Sequence, residues 1–232
     1  MAYPSRRQVL ACGAAFLAMA ASRAGAVMVK GNLPWEPGRA APPPLVTFGG
    51  WLFFTPTEAA AIEALVDRLI PADAQTPGGK DVGCAVFIDR QLAGPYGRAE
   101  GSYMSGPQLP LTPAQQYRQA LAALDHFSRA TYGGAAVVQL SDAQRDELLG
   151  GLEKDEVHLE GADGRGFFAL LLKDTKQGFF ADPIYGGNKD MAAWKMIGFP
   201  GARYDYRDWV ERHNERYPLP PIGINTHPNW GR

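Results

Sequence analysis

The segment from residue 178 to residue 191 concentrates the side chains best suited to chemistry. Asp182, Asn188 and Asp190 offer carboxylate and amide oxygens, the ligands that calcium prefers, although the register of an EF-hand and its distal glutamate are missing. The other interpretation is a shaped loop, in which Asp182 caps a turn, the glycines at 186–187 adopt positive φ, and Asn188 caps the next helix. The aromatic residues of such a loop suit a protein interface.

Other motifs are weaker candidates for a catalytic, cofactor or metal site. Residues 164–169 match the GxGxxA pattern of a dinucleotide loop. An acidic helical segment precedes them instead of a strand, which favours a glycine-rich helix start. The sequence contains no CxxC, HExxH or GxSxG motif, and its four histidines are scattered. We therefore predict no catalytic residue and no metal or cofactor site in this chain.

The first 26 residues have the pattern of a twin-arginine export signal. Arg6 and Arg7 precede an apolar stretch, and Ala24-Gly25-Ala26 forms a cleavage site before Val27. Residues 18–20 are a second candidate cleavage site, and an ordinary cytosolic N-terminal helix is the alternative interpretation. The apolar stretch is shorter than the ~20 residues that span a bilayer. Because this route exports folded proteins, the signal predicts a cofactor either in this chain or in a partner exported with it.

Composition limits the remaining function classes. Without residues 1–26 the chain keeps 20 of its 23 basic residues and all 24 acidic ones, a formal charge of about −4. This mild acidity provides neither a basic stripe for nucleic acid nor a polybasic membrane anchor. Only Cys84 remains, which excludes an intrachain disulfide and an iron–sulfur cluster ligated by this chain alone. Its apolar neighbours Val82, Val86 and Phe87 favour a buried thiol over one paired with another chain.

The elements that must position these residues are predicted to be helices. Thr55-Pro56-Thr57-Glu58 is a capping box that opens the first helix, and Pro71 ends it. The other predicted helices run from Asp81, as the N-cap, to Leu92, from Thr112-Pro113 to Thr131, from Ser141 to Glu153, from Arg165 to Phe180, from near Asn188 to Ile197, and over 206–215. No alternating pattern predicts a strand.

These elements predict a mostly α protein, an irregular single-domain helical bundle with long Gly/Pro loops. The predicted organisation is a signal peptide over 1–26, an extended proline-rich segment over 27–50 and the helical domain over 51–232. The long loops are expected at 93–111, 181–188 and 198–204. Four prolines within residues 217–232 predict an extended C-terminal tail over a surface.

Two blocks of the sequence resemble a known family. Residues 180–201, FADPIYGGNKDMAAWKMIGFPG, are similar to the small subunit of membrane-bound gluconate 2-dehydrogenases, called subunit 3 or the gamma chain. The second block comprises Leu69 to Asp73, Pro77-Gly78-Gly79, Gly83 and Phe87 to Gly97. The twin-arginine leader belongs to the same pattern, and the resemblance covers about residues 50–205.

The resemblance implies a non-catalytic role in a periplasmic complex associated with the inner membrane. In such complexes a large flavoprotein of the glucose–methanol–choline type binds FAD and oxidises a sugar acid or polyol, and a multihaem cytochrome c passes the electrons to quinone. The small subunit carries the export signal for the flavoprotein and is needed for its assembly. FAD and haem c are therefore expected in partner subunits, with no cofactor in this chain.

The residues expected to contact a partner are the aromatic anchors of the matching block. These are Phe179, Phe180, Tyr185, Trp194 and Phe199. Asp182 and Asn188 are expected to maintain the shape of the loop. For Trp194 and Phe199, the alternative to a partner contact is packing in the core of this chain. Two other hypotheses remain: an independent periplasmic enzyme or binding protein with a site at 178–201, and a purely structural anchor attached indirectly to the membrane.

Overall fold

The computed structural model describes residues 49–100, 111–203 and 206–224. The predicted export signal, with Arg6 and Arg7, and most of the proline-rich segment lie outside these residues. Within them the protein is helical and contains no strand, so the prediction of a mostly α fold is confirmed. The α-helices are α1 (Pro56–Leu69), α2 (Cys84–Ala93), α3 (Pro113–Thr131), α4 (Asp142–Glu153), α5 (Gly164–Phe180) and α6 (Ala192–Ile197).

Capping boxes start three of these helices, at positions where the sequence predicts a helix to begin. At α1 the Thr55 hydroxyl accepts from the Glu58 amide at 3.3 Å, and the Glu58 carboxylate accepts from the Thr55 amide at 2.8 Å. Thr112 with Gln115 and Ser141 with Gln144 form the same reciprocal pair at α3 and α4. Each box satisfies amide groups that a helix start leaves without an intrahelical acceptor.

Helix α5 is the central element, because it contacts each of the other five helices. Its buried face includes Phe167, Leu171 and Phe179. Around it lie apolar side chains that are almost fully buried: Ile62, Leu65, Val66, Ile88, Leu92, Leu124, Leu148 and Leu152. The regularly spaced apolar residues of each helix lie on the face that is buried in this core. Burial of these faces holds the helices together.

The start of α2 differs from the prediction. Asp81 is not its N-cap, because its carboxylate instead accepts the Gly78 amide at 3.0 Å in the preceding turn. Gly83 is the N-cap residue, with φ of 81°. The carbonyl of Gly186 lies 3.0 Å from the position that a Cβ would take at Gly83. A left-handed backbone and a close neighbouring chain both favour glycine there.

Cys84, the first residue of α2, is buried, as its apolar neighbours predict. Its Sγ lies 3.5 Å from the Thr175 carbonyl of α5. Burial raises the pKa of this thiol to about 12. The thiol therefore remains protonated at neutral pH and unreactive.

A buried carboxylate ties the segment before α1 to α2. Asp89 accepts the amides of Leu52, Phe53 and Phe54, each at 2.9 Å. Arg90 donates to the same carboxylate at 2.5 Å and to the Gly50 carbonyl at 2.8 Å. Charge-assisted bonds of this kind satisfy a buried carboxylate and fix the backbone that supplies the donors.

The two last predicted helices are shorter than expected. Residues Lys189–Met191 form a 3₁₀ turn before α6, and positive φ angles at Asn188, Asp190 and Met191 prevent a continuous helix. Over 206–215 only the 3₁₀ turn Arg207–Trp209 forms. In the described ranges no helix combines the length and apolar character needed to cross a membrane.

Candidate partner interface

The signature segment, residues 178–201, is shaped by two polar side chains. Asp182 accepts the Ile184 amide at 3.0 Å through Oδ1, which caps a 3₁₀ turn as predicted. Asn188 is fully buried; it donates to the Ala181 carbonyl and accepts the Ala193 amide of α6, both at 2.9 Å. Asn188 therefore joins the end of α5 to the first turn of α6, although the N-cap residue of α6 is Met191 and not Asn188 as predicted.

Glycines in this segment allow two backbones to meet. Gly186 has φ of 95°, as predicted. Gly187 does not adopt positive φ, so that part of the prediction is wrong. The reason for glycine at 187 is close packing: a Cβ there would lie 2.1 Å from the Gly178 carbonyl oxygen. The loop therefore lies directly on the last turn of α5.

The predicted aromatic anchors separate into a buried pair and an exposed set. Phe179 and Trp194 are buried, and the Trp194 indole donates to the Phe180 carbonyl at 2.8 Å. Both rings pack inside this chain, which is the core alternative for Trp194. Phe180, Tyr185 and Phe199 are 42–43% exposed. These three remain the aromatic side chains of the signature segment available to a partner.

The C-terminal tail crosses the signature segment, a contact that no local pattern predicts. Gly201 and Ile222 form an isolated parallel bridge, with the Ala202 amide donating to the Ile222 carbonyl at 2.7 Å. The second oxygen of Asp182 accepts the Ile224 amide at 2.7 Å. Asp182 therefore has two roles: one oxygen of its carboxylate shapes the loop and the other binds the tail.

A stack of aromatic rings and guanidinium groups supports the tail. The rings of Trp209 and Tyr217 have centroids 5.0 Å apart. The Arg212 guanidinium lies 4.6 Å from the centroid of Trp209, and that of Arg203 lies 5.0 Å from the centroid of Tyr217. Such cation–π contacts orient long side chains. This stack replaces the helix predicted over 206–215.

Around these elements several large apolar side chains are exposed. Besides the three aromatic rings, they are Met196, Ile197, Val210, Leu219 and Ile224. A cleft of about 450 Å³ separates the end of α6 from residues 216–221. Single exposed apolar residues are ordinary, whereas a group of them on neighbouring elements is typical of an interaction surface.

A buried polar cluster lies around Asp174. Asp174 of α5 accepts the hydroxyls of Tyr96 and Tyr117, each at 3.0 Å. Burial raises the pKa of Asp174, although these hydrogen bonds and Lys173 act in the opposite direction. Burial and the charge of Asp174 raise the pKa of Tyr117 well above its ordinary value. This cluster joins α5 to α3 and to the loop after α2.

The candidate metal and dinucleotide sites have other structural explanations. The oxygens of Asp182 and Asn188 accept backbone amides, and the described residues contain no group of three or more His, Cys, Asp and Glu side chains arranged to hold a metal. At the GxGxxA match, Asp163 caps α5 by accepting the Gly166 amide at 2.8 Å. Turns precede this helix, which agrees with a glycine-rich helix start.

Comparison with known proteins gives one result that covers most of the described chain. The family model described as gluconate 2-dehydrogenase subunit 3 matches residues 56–201. This range extends from the first residue of α1 to the bridge at Gly201 and includes the signature segment. No curated protein and no solved structure matched the chain.

Proposed function

Since the chain belongs to the gluconate 2-dehydrogenase subunit 3 family, we propose that it is the non-catalytic small subunit of a periplasmic, FAD-dependent sugar-acid dehydrogenase complex. In this proposal it carries the twin-arginine signal and supports the export and assembly of the flavoprotein subunit. The family name implies an assembly of several subunits. The enzymatic chemistry then belongs to a partner, and this chain contributes the export signal and a docking surface.

The observation that supports this proposal is the location of the exposed apolar side chains. Phe180, Tyr185 and Phe199 lie exposed on the signature segment, whereas the apolar side chains of the helical core are buried. Partly exposed aromatic rings on a rigid support are typical of interface anchors. The signature segment is held in place by Asn188 and Asp182, so the surface exists before a partner binds.

We assign the cofactors of the complex to other subunits. The large subunit is proposed to be an FAD-binding protein of the glucose–methanol–choline type, and a multihaem cytochrome c is proposed to pass electrons to quinone. Attachment to the inner membrane would occur through the complex. The paired Arg6 and Arg7 in the leader support export of a folded assembly, since the twin-arginine route accepts folded cargo.

Co-purification from membranes tests the proposal directly. A C-terminally tagged chain would be extracted with mild detergent, and the absorption spectrum of the bound material recorded. We expect flavin and c-type haem bands together with two larger chains. A dye-reduction screen of sugar acids and polyols would then identify the substrate.

A pair of variants with matched exposure sharpens this test. Changing Phe180→Ser and Phe199→Ser together should reduce the flavin recovered per tagged chain at least about tenfold, because central aromatic anchors dominate interface affinity. Val138→Ser is the control, since Val138 is 42% exposed, as is Phe180, but lies outside the signature segment. A colourless wild-type monomer would contradict the proposal and favour an independent binding protein or enzyme with its site at 178–201.

A further inference from the structure

The cleft between the end of α6 and the tail has a rigid, preformed shape. We call it the tail cleft; its lining includes Trp194, Lys195, Phe199 and residues 216–221. Gly198, with φ of 71°, ends α6 in a Schellman motif, in which the Phe199 amide donates to the Trp194 carbonyl at 2.9 Å. This turn aims Phe199 along one wall, where its ring meets Trp194 with centroids 5.1 Å apart.

The opposite wall is fixed at both of its ends. Tyr217 belongs to the aromatic–guanidinium stack, and the Pro220 carbonyl accepts from Arg203 at 2.6 Å. Ile222 is then paired with Gly201. Three prolines in the wall restrict its backbone further. A ligand entering the tail cleft therefore meets walls that need little ordering, which favours binding.

Among the described residues that line the tail cleft, two are basic and none is acidic. Nearby Arg212 pairs with Glu215 at 3.8 Å, and Arg203 has its own contacts. Lys195 and Arg216, by contrast, are exposed at the tail cleft, and no carboxylate of the described residues pairs with either. Two cations beside exposed Phe199 and Leu219 form a surface complementary to a carboxylate next to an apolar side chain.

We propose that the tail cleft receives an acidic, apolar peptide segment of the flavoprotein subunit, with its carboxylate held between Lys195 and Arg216. This inference rests on the proposed function and specifies the partner chemistry that the docking surface selects. A peptide fits better than an anionic membrane, because the chain without its leader has a formal charge of about −4 and lacks a polybasic segment.

Charge reversal in the full complex tests the inference. The double variant Lys195→Glu with Arg216→Glu should retain at least about tenfold less flavoprotein than wild type, and wild-type binding should weaken as salt rises. Arg165→Glu is the matched control, because Arg165 is exposed at the other end of α5, far from the tail cleft. Lys195→Arg with Arg216→Lys should keep the partner. Circular dichroism and the thermal midpoint would verify that every variant folds.

The outcomes separate this inference from the proposed function. If wild type retains the flavoprotein and the double glutamate variant retains it equally well, the inference is wrong and the proposed function stands. If wild type retains no flavoprotein, both are wrong. A photo-crosslinker at Leu219 should attach to a flavoprotein peptide that contains Asp or Glu. Crosslinking only to lipid, or binding of the isolated chain to anionic vesicles that the double variant abolishes, would overturn the assignment to a peptide.

Discussion

At the scale of single residues, Gly187 shows how the signature segment depends on close backbone contact. Gly187 is buried, and the position of a Cβ would lie 2.1 Å from the Gly178 carbonyl oxygen and 2.9 Å from its carbon. Backbone atoms cannot move aside as a flexible side chain does. Any side chain at 187 must therefore lift the loop from α5 and disturb Asn188 beside it.

We expect Gly187→Ala to lower the free energy of unfolding by about 3 kcal/mol, at the upper end of overpacking costs. Gly150→Ala is the control, because a Cβ at Gly150 within α4 meets no atom within 4 Å. That change should stabilise the protein by about 0.5–1 kcal/mol through helix propensity. Urea unfolding of both variants measures the effect. Equal stability of the two variants would contradict the close-contact explanation.

Asp174 makes a second residue-scale prediction, which concerns pH. Because its pKa is raised in the folded state, the folded protein keeps this proton at pH values where the unfolded chain has lost it. The stability contribution of Asp174 is thus fully present below its unfolded pKa of about 4 and decreases as pH rises through the folded value.

Asp174→Asn removes this titration. The free energy of unfolding of wild type minus that of Asp174→Asn should therefore fall as pH rises from about 4 to 7. Tyr117→Phe removes a hydrogen bond that lowers the pKa of Asp174, so the pKa of Asp174 should be higher in this variant. As the pH is lowered, the stability of the variant should therefore begin to rise at a higher pH than that of wild type. Denaturant titrations at several pH values measure both effects, and a difference that grows with pH would refute this interpretation.

At the scale of elements, the Asp89 carboxylate connects the N-terminal segment to α2. It satisfies the amides of residues 52–54, and Arg118 of α3 adds a hydrogen bond to the Phe53 carbonyl and lies over the Phe53 ring. The segment just before α1 is thus bound by α2 and α3.

Asp89→Ala should cost about 3 kcal/mol, because it leaves buried amides and the Arg90 charge without their acceptor. Hydrogen exchange should accelerate most at Leu52, Phe53 and Phe54. Asp81→Ala is the control, since the exposed Asp81 carboxylate accepts the Gly78 amide at 3.0 Å, and the loss of this bond should cost about 1 kcal/mol. Unchanged exchange at residues 52–54 would show that Asp89 does not anchor them.

At the scale of the whole molecule, the proposed function gives separate tasks to the helical body and to the leader. We expect Arg6→Lys with Arg7→Lys to retain the chain in the cytoplasm and to remove the flavoprotein from the periplasm with it. Arg23→Lys, a third conservative change within the leader, should leave both proteins exported. Fractionation followed by blotting for each chain measures this. Normal export of the flavoprotein with the double lysine variant would contradict the escort role.

Several features of this protein are determined by local sequence alone. The capping boxes at Thr55, Thr112 and Ser141 begin helices because the cap and its partner lie three residues apart, and no distant contact is needed. The apolar spacing that follows each box predicts the buried faces. The signature segment likewise identifies the family, since its residues are contiguous.

Only the tertiary structure decided the details that depend on distant neighbours. Position 83, the N-cap of α2, favours glycine because the Gly186 backbone lies close by, more than a hundred residues away in sequence. Phe179 and Trp194 are buried whereas Phe180 and Phe199 are exposed, a division that adjacent aromatic residues do not reveal. The tail lies on the signature segment through Asp182, 42 residues away from Ile224 in sequence. Such contacts form because packing and buried hydrogen bonds are optimised across the whole chain, and local patterns contain no information on that choice.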